Sequence, residues 1–199
     1  NSSGLAEALY QASTLSSFVR DSIRVSFSGV LDTLVLPLRV PSGTVSYYEF
    51  VPSTPQVTTA GVGVGFTVTA RDIYDNAVNN PDSVVFTASG SSTAVFTLND
   101  TLGFNGGSVV NVTVTDTEVG TFTVVARKLG TPGVTGQSGT VTVNPAAADH
   151  FVVQVGTEDS ITVGAERLLQ VVLEDVYGNP LPGSLVTFTG FHGNGIFPV

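Results

Sequence analysis

An eleven-residue stretch, Phe66-Thr67-Val68-Thr69-Ala70-Arg71-Asp72-Ile73-Tyr74-Asp75-Asn76, occurs a second time as Leu169-Gln170-Val171-Val172-Leu173-Glu174-Asp175-Val176-Tyr177-Gly178-Asn179. Asp72 and Asp175 stand 103 positions apart. In both copies apolar residues alternate with mostly polar ones and then run into an Asp-x-Tyr-x-Asn bend. A period of two belongs to half-buried β-strands, not to helices. Phe66, Val68 and Ala70 share one face, and Leu169, Val171 and Leu173 share the matching face of the copy. The same offset pairs Gly164 with Gly61, Phe151 with Tyr48, Val153 with Phe50 and Val143 with Val40. Further on, Phe188-Thr189 matches Phe86-Thr87 at an offset of 102. One residue has changed in a loop while the strands keep phase, which is how repeated domains vary.

Turn residues divide the stretch between the copies. They fall at Asp75-Asn76, Asn79-Asn80-Pro81-Asp82, Asn105-Gly106-Gly107 and Leu129-Gly130-Thr131-Pro132-Gly133. Between them the pattern predicts strands over Val45–Val51, Gly63–Arg71, Ser83–Ala88, Ala94–Leu98, Ser108–Thr115, Gly120–Arg127 and Gly139–Val143. Short strands at that spacing describe an all-β, immunoglobulin-like sandwich. Its inner face is expected to be Tyr48, Phe50, Phe66, Val68, Val84, Phe86, Phe96, Val110, Val112, Phe122, Val124, Val141 and Val143. Three segments are expected: one complete unit over 43–145, a 1–42 segment carrying the final strands of a preceding repeat, and 146–199 as the first half of a second unit. In the first segment, Leu5, Leu9, Ala12 and Val19 suit a helical face over residues 1–20, with a loose strand as the rival. Strands are then expected at Ser22–Ser28 and Leu34–Val40, and in the last segment three, ending at Leu185–Gly190. The joint Asn144-Pro145-Ala146-Ala147-Ala148 is short, which favours semi-rigid stacking of neighbours.

These residues resemble a known repeat. The run Thr59-Ala60-Gly61, Phe66 to Asp72 and Asn76, with Val85-Phe86-Thr87-Ala88, Gly120-Thr121-Phe122-Thr123-Val124 and Val141-Thr142-Val143-Asn144-Pro145-Ala146, is similar to the bacterial Ig-like repeats of invasin- and intimin-type adhesins. Asp175-Val176-Tyr177-Gly178-Asn179-Pro180-Leu181, followed by Val186-Thr187-Phe188-Thr189, is closer still to that pattern, whereas Asp75 replaces its usual glycine. The resemblance implies an extracellular, cell-surface role, structural or adhesive, as the shaft of a surface adhesin or as a filament. The alternative is an accessory module, carbohydrate-binding or spacer, of a secreted enzyme.

Composition narrows the partners. A net charge of −9, with one lysine, Lys128, disfavours nucleic acid and anionic membranes. No apolar run approaches the roughly 18 residues of a membrane helix, so no membrane insertion is expected. With no cysteine there is neither a disulfide framework nor a thiolate metal site. The chain begins without methionine, as a processed chain or a piece of a longer one does. The expected partners are neighbouring repeats or copies of the chain itself, through head-to-tail strand complementation, with a cell-surface receptor or glycan as further candidates.

No catalytic, cofactor-binding or metal-binding residue is assigned, and no cofactor. Asp72, Asp75 and Asn76, with Asp175 and Asn179 in the copy, offer oxygens of the kind Ca²⁺ takes. The competing reading is a tight turn in which Asp72 accepts backbone N–H bonds and Asp75 takes the left-handed conformation of Gly178. His150 and His192 come with no nucleophile motif, and Glu158-Asp159 reads as a solvated loop. Tyr47, Tyr48 and Phe50 suggest a sugar platform only until alternation is applied, which puts two of the three inside. Gly61-Val62-Gly63-Val64-Gly65 is followed by a strand and is therefore no phosphate loop. Asn1-Ser2-Ser3, Asn99-Asp100-Thr101 and Asn111-Val112-Thr113 are glycosylation sequons.

Overall fold

Two facing sheets form around the alternating residues of the central stretch, as seen in a computed structural model that describes residues 7–12, 14, 17–25, 34–79, 82–97, 101–104, 107–156 and 160–190. One sheet is ordered β3 (Tyr47–Val51), β5 (Val64–Arg71), β9 (Val109–Thr115), β7 (Val95–Phe96). The other runs β4 (Gln56–Thr59), β12 (Val141–Asn144), β10 (Gly120–Lys128), β6 (Ser83–Ser89), β8 (Thr101–Gly103), with β11 (Thr135–Gln137) also on β10. All pairs are antiparallel except β12 with β4, which is parallel.

The inward face matches the alternation. Tyr48, Phe50, Phe66, Val68, Val84, Phe86, Val112, Phe122, Val124, Val141 and Val143 are all buried, and Phe96 and Val110 pack half-buried against them. Phe50 sits edge-on to both Phe66 (ring centroids 5.9 Å apart) and Phe86 (6.5 Å). Such pairs add to the area term that dominates cores. Ala60, Ala70, Phe104, Val114 and Ala126 complete the cluster, Phe104 stacking on Tyr48 at 5.9 Å.

Three strands lie where the sequence pattern predicted none: β4, β8 and β11. The last depends on a glycine, since a Cβ on Gly136 would stand 2.0 Å from the Tyr48 carbonyl oxygen. β11 can therefore pass close over β3 only without a side chain there. Where β11 gives way to β12 the ladder is kept closed by buried Ser138. Its N–H donates to the Val124 carbonyl at 2.9 Å, and its Oγ accepts the Val124 N–H at 2.9 Å.

At the N-terminal end residues 7–12 are not helical. The serine and threonine content there weakens a helix, and a strand, β1 (Ser17–Val25), opens where the helical face was expected to continue. β1 pairs with β2 (Leu34–Val40); Ser17 opposite Val40 is the same pairing as Gly120 opposite Val143, one period earlier, but an irregularity then shifts the register, and Asp21 faces Leu38 where the repeat of Phe122–Val141 would place Val19. At the other end β13 (Ala148–Val155) pairs with β14 (Gln170–Asp175). His150–Glu174, Phe151–Leu173, Val152–Val172 and Val153–Val171 reproduce Tyr47–Arg71, Tyr48–Ala70, Glu49–Thr69 and Phe50–Val68 at the repeat offset. The third strand expected at Leu185–Gly190 does not form. Its counterpart β6 is held between β10 and β8, and residues 185–190 have no such neighbours among those described. Leu5, Phe27, Leu98, Asn99, Asn105, Glu158, Asp159 and His192 lie outside the described residues.

Phe122 is 3 % exposed at the centre of the core. Phe122→Ala should therefore cost about 3–5 kcal/mol, as core aromatic truncations do. A urea or thermal midpoint that moves no more than for a surface substitution would reject the inward phase.

Candidate functional site

The Asp-x-Tyr-x-Asn bend is a knot built around one carboxylate. Asp72 is buried, and its Oδ1 accepts the N–H groups of Tyr74 (2.8 Å) and Asn76 (2.9 Å). Its Oδ2 accepts the Gly43 N–H at 2.8 Å, from the far side of the unit's first strand. The Asn76 side-chain amide bridges both oxygens, at 3.2 and 3.0 Å. Asp175 repeats the set: Tyr177 N–H and Asn179 N–H on Oδ1, both 2.9 Å, Ala146 N–H on Oδ2 at 2.7 Å, and the Asn179 amide on both. Each donor stands one repeat from its counterpart. The backbone closes the same way in both, with Asp72 N–H to Asn76 O and Asp175 N–H to Asn179 O, each 3.0 Å.

Burial pushes both carboxyls up, and the donated bonds outweigh it. The Asn76 amide and the Gly43, Asn76 and Tyr74 N–H groups bring Asp72 down to about 2. Asp175, with Asn179, Ala146 and Tyr177 in those places, also lies at about 2. A carboxylate has about four lone-pair sites, and here they are filled by N–H donors. Asp72 and Asn76 thus make the bonds of the tight-turn reading. The asparagines turn an amide nitrogen toward the carboxylate, where a cation ligand would turn its oxygen. Among the described residues no three acidic or imidazole groups converge on a metal position.

Asp75 takes φ 67° and Gly178 takes φ 83°, so the position is left-handed in both copies. Asp75 compensates for its Cβ there with bonds of its own: its carboxylate accepts the Tyr47 hydroxyl, and its carbonyl accepts Arg71 Nη1 at 2.8 Å. The hydrogen bond to Asp75 raises the Tyr47 phenol above its ordinary value. In the copy this outer network is replaced, His150 facing Asp149 at 2.9 Å and Glu174 at 3.8 Å. Asp and Asn are kept in both knots while the position between them changes. Of the aromatic trio, Tyr48 and Phe50 are core residues. In the sequon at Asn111 the side-chain oxygen accepts the Thr67 hydroxyl at 2.9 Å.

Each knot also reaches a segment 62 residues back. Asn76 Nδ2 donates to the Thr14 carbonyl at 2.7 Å, and Asn179 Nδ2 donates to the Thr117 carbonyl at 2.8 Å. Thr14 and Thr117 are themselves 103 positions apart. Asn179 Oδ1 also accepts the Val119 N–H at 3.0 Å, so one amide group engages both the 175–179 turn and the 116–119 loop. That loop is stiffened by buried Asp116, which accepts the Thr93 hydroxyl and the Glu118 N–H. Burial raises the Asp116 carboxyl, but the hydroxyls of Thr93 and Ser91 and the N–H groups of Glu118 and Thr117 leave it below its usual range. The Asp116 carbonyl accepts the Gly61 N–H at 2.8 Å. Gly61, at φ 80°, lies against the hydroxyl end of Tyr177, where an added Cβ would fall 2.0 Å from the hydroxyl oxygen. The sequence singled out the turns but missed the Thr14, Thr117 and Gly61 contacts. The recurrence of Tyr74 and Gly61 as Tyr177 and Gly164 is the signal that pointed to them.

The carboxyls' low values set a pH dependence. The unfolded chain has these groups near 3.8, so the folded chain binds fewer protons in the interval down to about 2. Their stabilisation is complete above the unfolded value and is lost as pH falls through the folded one. The urea midpoint should hold steady near neutrality and drop steeply below about pH 4. Asp72→Asn should lower the midpoint at neutral pH and flatten that drop, and an unchanged slope would reject this role for the carboxylate.

No protein-family model matches the chain. The inverse autotransporter adhesin YeeJ of Escherichia coli (strain K12) is 37% identical over 136 residues, which is 62% of this chain and 5% of that protein. The chain thus spans about one-twentieth of that relative's length. Among solved structures, the Escherichia coli adhesin FdeC is 21% identical with a TM-score of 0.46, over 75% of this chain and 48% of that one. Domains 4–9 of the surface layer protein SbsC are 20% identical with a TM-score of 0.42, over 79% and 24%. Superpositions that loose have no bearing on function. On the identity to the YeeJ adhesin, joined to the internal copy and the sandwich, the chain is similar to the tandem Ig-like repeats of bacterial surface adhesins.

Proposed function

We propose that the chain is part of an extracellular surface protein in which stacked Ig-like repeats form a structural or adhesive shaft. Residues 43–145 are one complete unit in this reading. Residues 1–42 carry the closing strands of the unit before it, and 146–199 the opening half of the unit after it. The observation that carries the proposal is the recurrence of one junction, an asparagine amide bonded to the backbone 62 residues back, at both ends of a 103-residue period. A flexible string of domains has no need for such a bond. A shaft does, because each joint must hold its angle against thermal bending. The short Asn144–Ala148 joint and the Tyr177–Gly61 contact support the same reading.

The working partners are then neighbouring repeats or further copies of the chain, meeting head to tail. A cell-surface receptor or glycan is the adhesive target, and the number of repeats sets the distance at which it is met. The relative's name, an adhesin, and the absence of cysteine fit a scaffold whose rigidity comes from packing and hydrogen bonds.

Because the chain has no cysteine, two introduced ones at exposed Thr87 and Gln154 can carry spin labels without competition. The label–label distance distribution should be narrow. Asn179→Ala should broaden it while leaving the unfolding midpoint of the central unit within about 1 kcal/mol of the parent. A distribution already broad in the parent chain would overturn the shaft. Failure of antibodies against this chain to label intact cells that make the protein would overturn the surface location.

A further inference from the structure

The seat that receives the 175–179 turn is made of main-chain groups carried on loops. Asn179 bonds the Thr117 carbonyl at 2.8 Å and the Val119 N–H at 3.0 Å, and Tyr177 meets the turn at Gly61. Loop backbone has no ladder of its own, and ordering a loop as a bond forms offsets part of the free energy that the bond supplies. A joint built on such groups is only as stiff as whatever holds the loops. Both contacts trace back to one residue, Asp116.

The buried Asp116 carboxylate takes bonds from the Thr93 and Ser91 hydroxyls and from the Glu118 and Thr117 N–H groups. Two of those donors are the next two residues of its own loop, so the carboxylate folds the backbone at Thr117 and Glu118 into one turn. The other two belong to the 91–93 loop. That loop lies close because Gly90, at φ 103°, has no Cβ, and one placed there would stand 2.8 Å from the Thr121 carbonyl oxygen. On the opposite side the Asp116 carbonyl accepts the Gly61 N–H at 2.8 Å. The neighbouring Ala60 N–H donates to the Asn144 carbonyl, also at 2.8 Å, where the joint to the next unit begins. One residue therefore ties three loops to each other, and none of these bonds goes to the 175–179 turn.

We propose that Asp116 is the positioning residue of the joint, holding the Thr117 carbonyl, the Val119 N–H and the Gly61 turn as a preformed seat for the Asp-x-Tyr-x-Asn bend of the following unit. It acts through those three groups. The two sides of the joint are then built on one device, a buried carboxylate that gathers donors: Asp175 fixes the asparagine, and Asp116 fixes what the asparagine meets. A contact supported from behind on both sides keeps its geometry when either unit moves. This inference rests on the reading of the chain as stacking repeats and adds to it the residue that sets the stiffness of the contact.

Asp116→Asn tests it, because the amide puts an N–H donor among groups that are themselves donors. Thr93→Val, at an exposed loop position, removes a single bond and serves if the first variant unfolds. Amide hydrogen exchange separates the seat from its occupant. In Asn179→Ala the Val119 N–H should exchange faster while those of Gly61 and Glu118 keep the parent rate. In Asp116→Asn all three should exchange at least about tenfold faster, and in Thr93→Val they should move the same way by less. The Thr87–Gln154 label distribution should broaden in Asp116→Asn as in Asn179→Ala, and the two combined should broaden it by less than their sum, since they act on one contact. Val124→Ala, a cavity in the core, should lower the urea midpoint and leave the distribution narrow. A protected Val119 N–H and a narrow distribution in the Asp116 and Thr93 variants, whatever their midpoints, would overturn the proposal. So would equal broadening in Val124→Ala. Either result leaves the shaft standing if the parent distribution is narrow, whereas a parent distribution that is already broad overturns the shaft and this inference together.

Discussion

Everything at the joints of this molecule depends on a buried carboxylate wrapped in N–H donors. Taking such a group out of water costs several kcal/mol unless hydrogen bonds replace the lost hydration. Asp72 and Asp175 solve this with N–H donors alone, collected from their own turn, from an asparagine four residues on and from Gly43 or Ala146, 29 residues back. The long-range donor matters most for architecture. Gly43 and Ala146 sit where the chain enters a unit, so the carboxylate ties the entry of the unit to the end of β5 or β14. The asparagine held by that same carboxylate is then aimed, with its rotamer fixed, at the repeat before.

The core and the joints thus do separate jobs with separate chemistry. Inside the sandwich the interactions are largely non-directional: phenylalanines edge to face and valines filling between them. Such a core holds two sheets together but has little preference for how one unit meets the next. At the 175–179 turn the contacts to the preceding segment are directional, amide to carbonyl and tyrosine hydroxyl end against glycine. Exposed Ile73 and Val176 differ between the two turns, as do Asp75 and Gly178, whereas the groups that bond are the same.

How far the sequence could be read depends on the length scale of each signal. Alternation over seven to nine residues located β5, β9 and β10 and put Phe66, Val112 and Phe122 inside, because one phase satisfies all three. β11 has only Thr135-Gly136-Gln137, without an apolar residue, so its place comes from Gly136 fitting against Tyr48 and not from any local pattern. Phe104 comes after a strand of three residues and is buried by stacking on Tyr48, 56 residues away. The helical face of Leu9 and Ala12 failed because helical spacing without good helix formers between is a weak claim. Asp75 was legible as left-handed from its glycine counterpart, yet its bonds to Tyr47 and Arg71 were not. At the joint, the repeated Asn showed that something was held in place, but its target is a carbonyl, and every residue has one.

Recognition of that kind bears on how such a protein can change over time. The Thr14 and Thr117 oxygens, the Val119 N–H and the bare Gly61 turn are main-chain groups or the lack of a side chain. Apart from its glycine, the receiving side of the joint reads shape and not residue identity. Units whose outer loops have diverged can still seat one another, and a unit duplicated, deleted or exchanged by recombination arrives with a joint that already fits. Length can then vary from one lineage to the next without a new interface having to be invented each time.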